Sequence, residues 1–167
     1  MLYIFGGLPA TGKTELSRSL ASSINATYIR IDTIEQKLKN LGVEKIYDEG
    51  YEIAFSLALD NLKNGNAVIA DSTNPVKESR DAWINVASFA QVPFIEIEVV
   101  CSDKEEHRKR VESRQSDIYG HLLPDWESVS SREYQHWLSA KIVLDTAGKT
   151  LSQSKEELQQ LLTSHFK

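Results

Sequence analysis

Positions 7 to 14 read G-L-P-A-T-G-K-T: a glycine, four residues, then Gly-Lys-Thr. Glycines at that spacing let successive main-chain amides turn inward around a phosphate chain with no side chain in the way. Tyr3-Ile4-Phe5-Gly6, just before, has the character of a strand end. A helix starting near Lys13 would aim its positive end at the same anion. The expected nucleotide-binding residues are therefore Gly7, Leu8, Pro9, Ala10, Thr11, Gly12, Lys13, Thr14 and Glu15. Lys13 is expected on the β- and γ-phosphates of ATP, and the Thr14 hydroxyl on Mg²⁺.

Moving a phosphoryl group also needs an acceptor, a metal and cations over the spreading charge. Three stretches have suitable residues. In Arg30-Ile31-Asp32, Asp32 follows a strand and either takes a proton from an acceptor hydroxyl or merely caps a helix over Thr33 to Asn40. In Asp71-Ser72-Thr73-Asn74, Asp71 suits Mg²⁺, through water, or the acceptor. Asn74 suits the acceptor while capping a helix that starts at Asn74-Pro75. All four are also ordinary turn residues. In Lys104 to Arg114, Arg110 and Arg114 are four apart and share a helical face. Glu106 with Arg110 reads either as a surface pair or as part of a lid, spanning about 103–137, that carries arginines to the triphosphate; the lid is the preferred reading.

Other reactive types are less informative. His107, His121, His136 and His165 have no metal-site spacing with one another or with Cys101. Trp126, Tyr134 and Trp137 suit base stacking but more often serve packing. Asp145-Thr146-Ala147-Gly148 and Ala147-Gly148-Lys149-Thr150 imitate nucleotide motifs, but no N-K-x-D stretch accompanies the first and Val143 stands where the second needs its glycine. They read as the loop leaving the last strand, at the sheet edge where ligands sit.

The positioning elements follow from periodicity. Strands are predicted at Leu2–Phe5, Thr27–Ile31, Ala67–Ala70, Phe94–Val100 and Lys141–Leu144. Between them run helical stripes: Leu16, Leu20 and Ile24; Tyr51, Ala54, Ala58 and Leu62; Trp83, Val86, Ala87 and Ala90; Leu158, Leu161 and Leu162. Such alternation predicts an α/β fold whose parallel sheet is covered on both faces. At 167 residues and 41% hydrophobic content, one domain over 1–167 is expected. The net charge of −5 argues against a general nucleic-acid surface. A lone cysteine, predicted to be buried, fits a reducing compartment, and no apolar run reaches membrane-spanning length, so a cytoplasmic location without membrane partners is expected.

The ordered set of phosphate loop, Arg30-Ile31-Asp32, Asp71 to Asn74 followed by Arg80 and Trp83, and Arg110 with Arg114 resembles small P-loop kinases of the AAA_33 type. These are related to polynucleotide 5′-hydroxyl kinase, chloramphenicol phosphotransferase and the zeta-toxin kinases. The resemblance runs from Gly6 to about Thr146 and implies a P-loop NTPase sandwich with sheet order 2-3-1-4-5 and a helical lid. It implies Asp32 as general base and Arg110 and Arg114 as lid arginines. Ser72 is one residue more than the family's D-T-N form, and Thr33 stands where a second acid is often found. The expectation is an ATP- and Mg²⁺-dependent phosphotransferase in which Lys13, Asp32, Arg110 and Arg114 are catalytic, Thr14 and Asp71 serve the metal, and Arg30, Asp32, Asn74 and Arg80 bind the acceptor. Arg132 is a further acceptor candidate. A small hydroxyl compound is favoured over a nucleic acid 5′ end; the alternative is a nucleotide-binding switch with no acceptor.

Overall fold

The computed structural model describes residues 1–139 and 142–166. Its elements run β1 (Leu2–Gly6), α1 (Lys13–Ser23), β2 (Thr27–Arg30), α2 (Ile31–Asn40), α3 (Glu49–Lys63), β3 (Val68–Asp71), α4 (Lys77–Ala90), β4 (Phe94–Val100), α5 (Lys104–Ser113), α6 (Trp126–Ser130), β5 (Ile142–Asp145) and α7 (Leu151–His165). All strands pair in parallel, in the order β2-β3-β1-β4-β5. The sheet covered on both faces is the one the alternating pattern predicts, and its strand order is that of the P-loop NTPase sandwich implied by the family resemblance. Lys141, where the last strand was expected to start, lies outside the described residues.

Side chains alternate across the sheet with the strand period of two, and each face gathers its own core. Leu2, Ile4, Ile29, Val68 and Ala70 pack with Ala54, Ala58, Leu62, Trp83 and Ala87 on the α3–α4 side. Phe5, Ile69, Ile95, Ile97, Val99 and Leu144 pack with Leu16, Leu20, Leu158 and Leu162 on the α1–α7 side. β4 departs from the double-sided apolar rule, because its second face buries Glu96 and Glu98. Tyr134 and Arg80 lie beside Glu98, whose carboxyl is nonetheless raised above its ordinary range, chiefly by burial.

Several local expectations are corrected. Ile24 is the C-cap of α1 and 39% exposed, so that stripe ends at Leu20 and Ala21. Asn74-Pro75 does not start a helix: α4 begins at Lys77 behind Val76, which makes no side-chain cap. Asn74 instead takes a left-handed backbone (φ 48°) and donates its amide to the Phe5 carbonyl at 2.9 Å, bracing the end of β1. Ile31 belongs to α2 rather than β2, so Asp32 sits inside the first helical turn and is not its cap. Cys101 falls beyond β4 and is partly exposed.

Trp83 is fully buried and meets Phe55 edge to face at 4.7 Å, filling the α3–α4 side. Trp83→Ala is expected to lower unfolding free energy by about 3–5 kcal/mol, measured by urea titration. A loss below about 1 kcal/mol would show that this layer is not the packed core described.

Candidate active site

The phosphate loop connects β1 to α1 along a path that only small residues allow. At Gly7 (φ 143°) an added Cβ would lie 2.2 Å from the Val99 carbonyl oxygen, and Gly12 (φ 95°) is the left-handed N-cap of α1. No side chain caps α1, so its first-turn amides stay available to an anion. Neighbours hold the loop from outside. Gly7 donates to the Thr73 carbonyl at 3.1 Å, Thr11 Oγ1 donates to Leu8 at 3.0 Å, and His107 Nε2 lies 2.8 Å from the Pro9 carbonyl.

Beneath the loop lies a buried ion pair. Lys13 Nζ donates to Asp71 Oδ1 at 2.8 Å, and Tyr28 donates its hydroxyl to Asp71 Oδ2 at 2.6 Å. Lys13 is 8% exposed and Asp71 1%. Burial pushes the Asp71 carboxyl upward, but Lys13, Tyr28 and Thr14 outweigh it and hold the group below its ordinary range. The same surroundings raise the Tyr28 hydroxyl, with burial the leading cause and Asp71 the next.

Leu8, Pro9, Ala10, Gly12, Lys13, Thr14 and Glu15 line one cleft of about 650 Å³ together with Arg30, Asp32, Arg110 and Arg114. Asp32 leaves the end of β2 with its side chain 42% exposed, 3.8 Å from Arg30 Nη2. Glu35, one helical turn on, lines the same cleft and fits against Gly50, where a Cβ would lie 2.5 Å from its Cγ. Its carboxyl is raised, mainly by burial and then by Asp32.

The two lid arginines differ. Arg110 is spoken for: it donates to Glu106 at 2.5 Å and to the Thr146 hydroxyl and carbonyl at 2.8 and 2.9 Å. Glu106 also accepts from the Gly148 amide, and Thr146 Oγ1 donates to the Thr11 carbonyl at 2.8 Å. Arg110 thereby ties α5 to the β5–α7 loop and that loop to the phosphate loop. Arg114 is not on the helical face expected for it, because α5 ends at Ser113 and Arg114 continues in extended backbone. Its Nε and Nη2 are buried without a partner, and burial lowers its guanidinium from the ordinary value.

Gly7, Thr11, Asp71, Asn74 and Arg80 stand outside the cleft lining. Arg80 is buried, stacks 4.8 Å from the Trp137 ring, and donates to the carbonyls of Val76, Gln135 and His136. Arg80 and Asn74 thus brace the walls, whereas Arg132, like Arg30, lines the cleft. His107 meets Trp126 edge to face at 5.4 Å, and Trp137 packs against Gly6, so these rings serve packing. Sequence reasoning missed Tyr28, Asp117 and Glu35. For Glu35 a signal existed, since Asp-x-x-Glu places both acids on one helical face.

Residues 2–122 match the AAA_33 family, described as an AAA domain. The chain belongs to the AAA_33 family. Over 93 residues it is 26% identical to the bifunctional polynucleotide phosphatase/kinase of Schizosaccharomyces pombe; the aligned part is 56% of this chain and 19% of that protein. Among solved structures, the APS kinase of Mycobacterium tuberculosis in complex with AMPPNP and APS superposes with a TM-score of 0.69, at 16% identity, over 97% of this chain and 96% of that one. A gluconokinase from Sinorhizobium meliloti 1021 gives 0.66 at 13% identity, over 97% and 91%. These likenesses show the P-loop kinase fold. No helix among the described residues is long and apolar enough to cross a membrane.

Asp71→Asn leaves Lys13 buried beside a neutral amide, and is expected to cost about 3 kcal/mol in the nucleotide-free protein by urea unfolding. Tyr28→Phe should cost about 1 kcal/mol. Because the folded carboxyl is depressed, its contribution is full above about pH 4 and is lost as pH falls through the lower folded value. The Asp71→Asn protein should therefore show a flatter acid limb; an unchanged limb would contradict the pairing.

Proposed function

We propose that this protein transfers the γ-phosphoryl group of ATP, bound with Mg²⁺, to a hydroxyl of an acceptor molecule. The observation that carries this reading is the Asp32 carboxylate, which opens onto the same cleft as the phosphate loop. The loop amides and the α1 N-terminus would hold the phosphates, and Lys13 would exchange Asp71 for them. Asp32 would accept the proton of the acceptor hydroxyl as its oxygen attacks phosphorus. Arg114, whose buried N–H groups have no protein partner, would donate to the transferred group. Arg110 would hold the lid segment against the nucleotide through Thr146 and Glu106.

Thr14, which lines the cleft beside the phosphate loop, suits Mg²⁺, which takes few protein ligands alongside phosphates and water, and Asp71, held beneath it by Lys13 and Tyr28, would reach the ion through water once Lys13 leaves it. When bound, the ion neutralises charge on the phosphate oxygens. Among the described residues no group of three or more His, Cys, Asp and Glu gathers as a self-sufficient metal site. We read 1–167 as a single kinase domain with its lid at about 103–137, working in the cytoplasm. The cleft size suits a small acceptor. The likeness to a polynucleotide phosphatase/kinase supports a nucleic acid 5′ end as the second choice.

Asp32→Asn is expected to lower label transfer from γ-labelled ATP by about 10²–10⁴-fold while ATP affinity stays within about twofold. Unchanged turnover would favour a nucleotide-dependent switch without an acceptor. Lys13→Ala should abolish nucleotide binding or transfer. Arg114→Ala should reduce turnover on the order of 10³-fold; a change in thermal stability alone would assign Arg114 a structural role.

A further inference from the structure

Asp117 lies in the stretch between α5 and α6, at the cleft rim. Its carboxylate accepts from Arg30 Nη1 at 2.9 and 3.0 Å, and from Arg18 Nη2 at 2.5 Å. Arg30 is unlike the surface arginines of the chain. Its side chain is 11% exposed, its Nε is buried without a partner, and its Nη2 is 3.8 Å from Asp32. A guanidinium so placed needs oxygen acceptors, since a buried donor left unmade costs more than a typical hydrogen bond returns. Asp117 satisfies one edge of it, from a segment without regular secondary structure.

Location separates this cation from the triphosphate. Arg30 ends β2, two strands from β1 with β3 between, which is about 10 Å at ordinary strand spacing. The loop holds phosphates at the end of β1, so Arg30 stands on the far side, next to the carboxylate that would meet the acceptor. The protein carries a net charge of −5, yet the cleft is lined by six Lys or Arg against four Asp or Glu. His121 lines it as well.

We infer that the acceptor is an anion, bearing a carboxylate, phosphate or sulfate besides its reactive hydroxyl, and that Arg30 with Arg18 seats that group where the Asp117 carboxylate now stands. The inference rests on the phosphotransferase reading and narrows its substrate class. Asp117 is a tethered stand-in: from a partly exposed position it neutralises the nearly buried Arg30 and the partly exposed Arg18, and gives way to a ligand that brings its own oxygens. Burial would raise the Asp117 carboxyl, but Arg18 and Arg30 hold it at about 2, so the stand-in remains charged at every physiological pH. As a depressed group it binds its arginines fully above about pH 4 and loses them only as pH falls toward 2.

Two measurements on the full chain, saturated with Mg²⁺ and a non-hydrolysable ATP analogue where binding is read, test this. Calorimetric titration with sulfate should show Asp117→Asn binding at least tenfold more tightly than the unaltered protein, and Arg30→Gln about 10- to 100-fold more weakly than Asp117→Asn. Equal sulfate affinity in all three would overturn the seat. With γ-labelled ATP, matched pairs such as glycerate against glycerol and gluconate against glucose should favour the anionic member at least tenfold in kcat/KM, through KM. Arg30→Gln should shrink that ratio toward one. A neutral preference in the unaltered protein would overturn the inference while leaving phosphotransfer intact. Transfer to no compound, with Asp32→Asn indistinguishable in ATP turnover, would count against phosphotransfer itself, and the sulfate titration would still decide the seat.

Discussion

The structure depends on a lysine that is almost inaccessible to water and paired with a buried carboxylate. Lys13 is held on Asp71, which is itself buried and fixed from its other oxygen by Tyr28. Removing such charges from water is expensive, and the attraction offsets the expense only where geometry is good and the remaining lone pairs are satisfied. Three elements meet that condition together: the α1 N-terminus supplies the lysine, the end of β3 the aspartate, and β2 the tyrosine. The 2-3-1 order of the strands brings them into contact. An ion pair of this kind is a weak source of stability and a strong source of position. It fixes the Lys13 side chain beneath the phosphate loop, where in the proposed reaction incoming phosphates would compete with Asp71 for it.

Around that pair, the cleft is closed by couplings between segments far apart in the chain. Arg110 links α5 to Thr146, Thr146 links to Thr11, and His107 reaches Pro9. The loop is thus gripped from the wall that the α5–α6 region builds, as well as from the sheet below. Asp117 adds a fastening on the opposite side through Arg18 and Arg30. A nucleotide entering here meets a preformed cradle and two sets of ties, one of hydrogen bonds and one ionic, and a change in either set would reposition the arginines over the cleft. Thermodynamically, any ligand that prefers one arrangement of those ties shifts the wall toward it by its differential affinity alone.

The layered fold was legible because strands buried on both faces and helices with one apolar stripe leave strong periodic signals. The phosphate loop was legible because its spacing is a backbone requirement. Asp32 was placed at the correct strand end, although the helix start was misjudged by two residues, since Ile31 suits strand and helix alike. Asn74-Pro75 misled for a clearer reason: a local capping signal lost to a long-range hydrogen bond with Phe5. Arg114 carried a helical spacing that the chain abandons after Ser113. Tyr28 and Asp117 could not be found at all by local reasoning, because their partners lie 43 and 87 or more positions away and no residue type announces such a pairing.

The central claim is spatial: Lys13 leaves Asp71 for the phosphates, and Asp32 then faces the terminal phosphorus across room for one alcohol. A crystal structure with Mg²⁺ and a non-hydrolysable ATP analogue tests it most directly. The account predicts Lys13 Nζ on the β- and γ-phosphate oxygens and the Asp32 carboxylate roughly 6 Å from the γ-phosphorus, the sum of a hydrogen bond and a near-attack distance. Lys13 still paired with Asp71, or Asp32 screened from the phosphorus by protein, would contradict it.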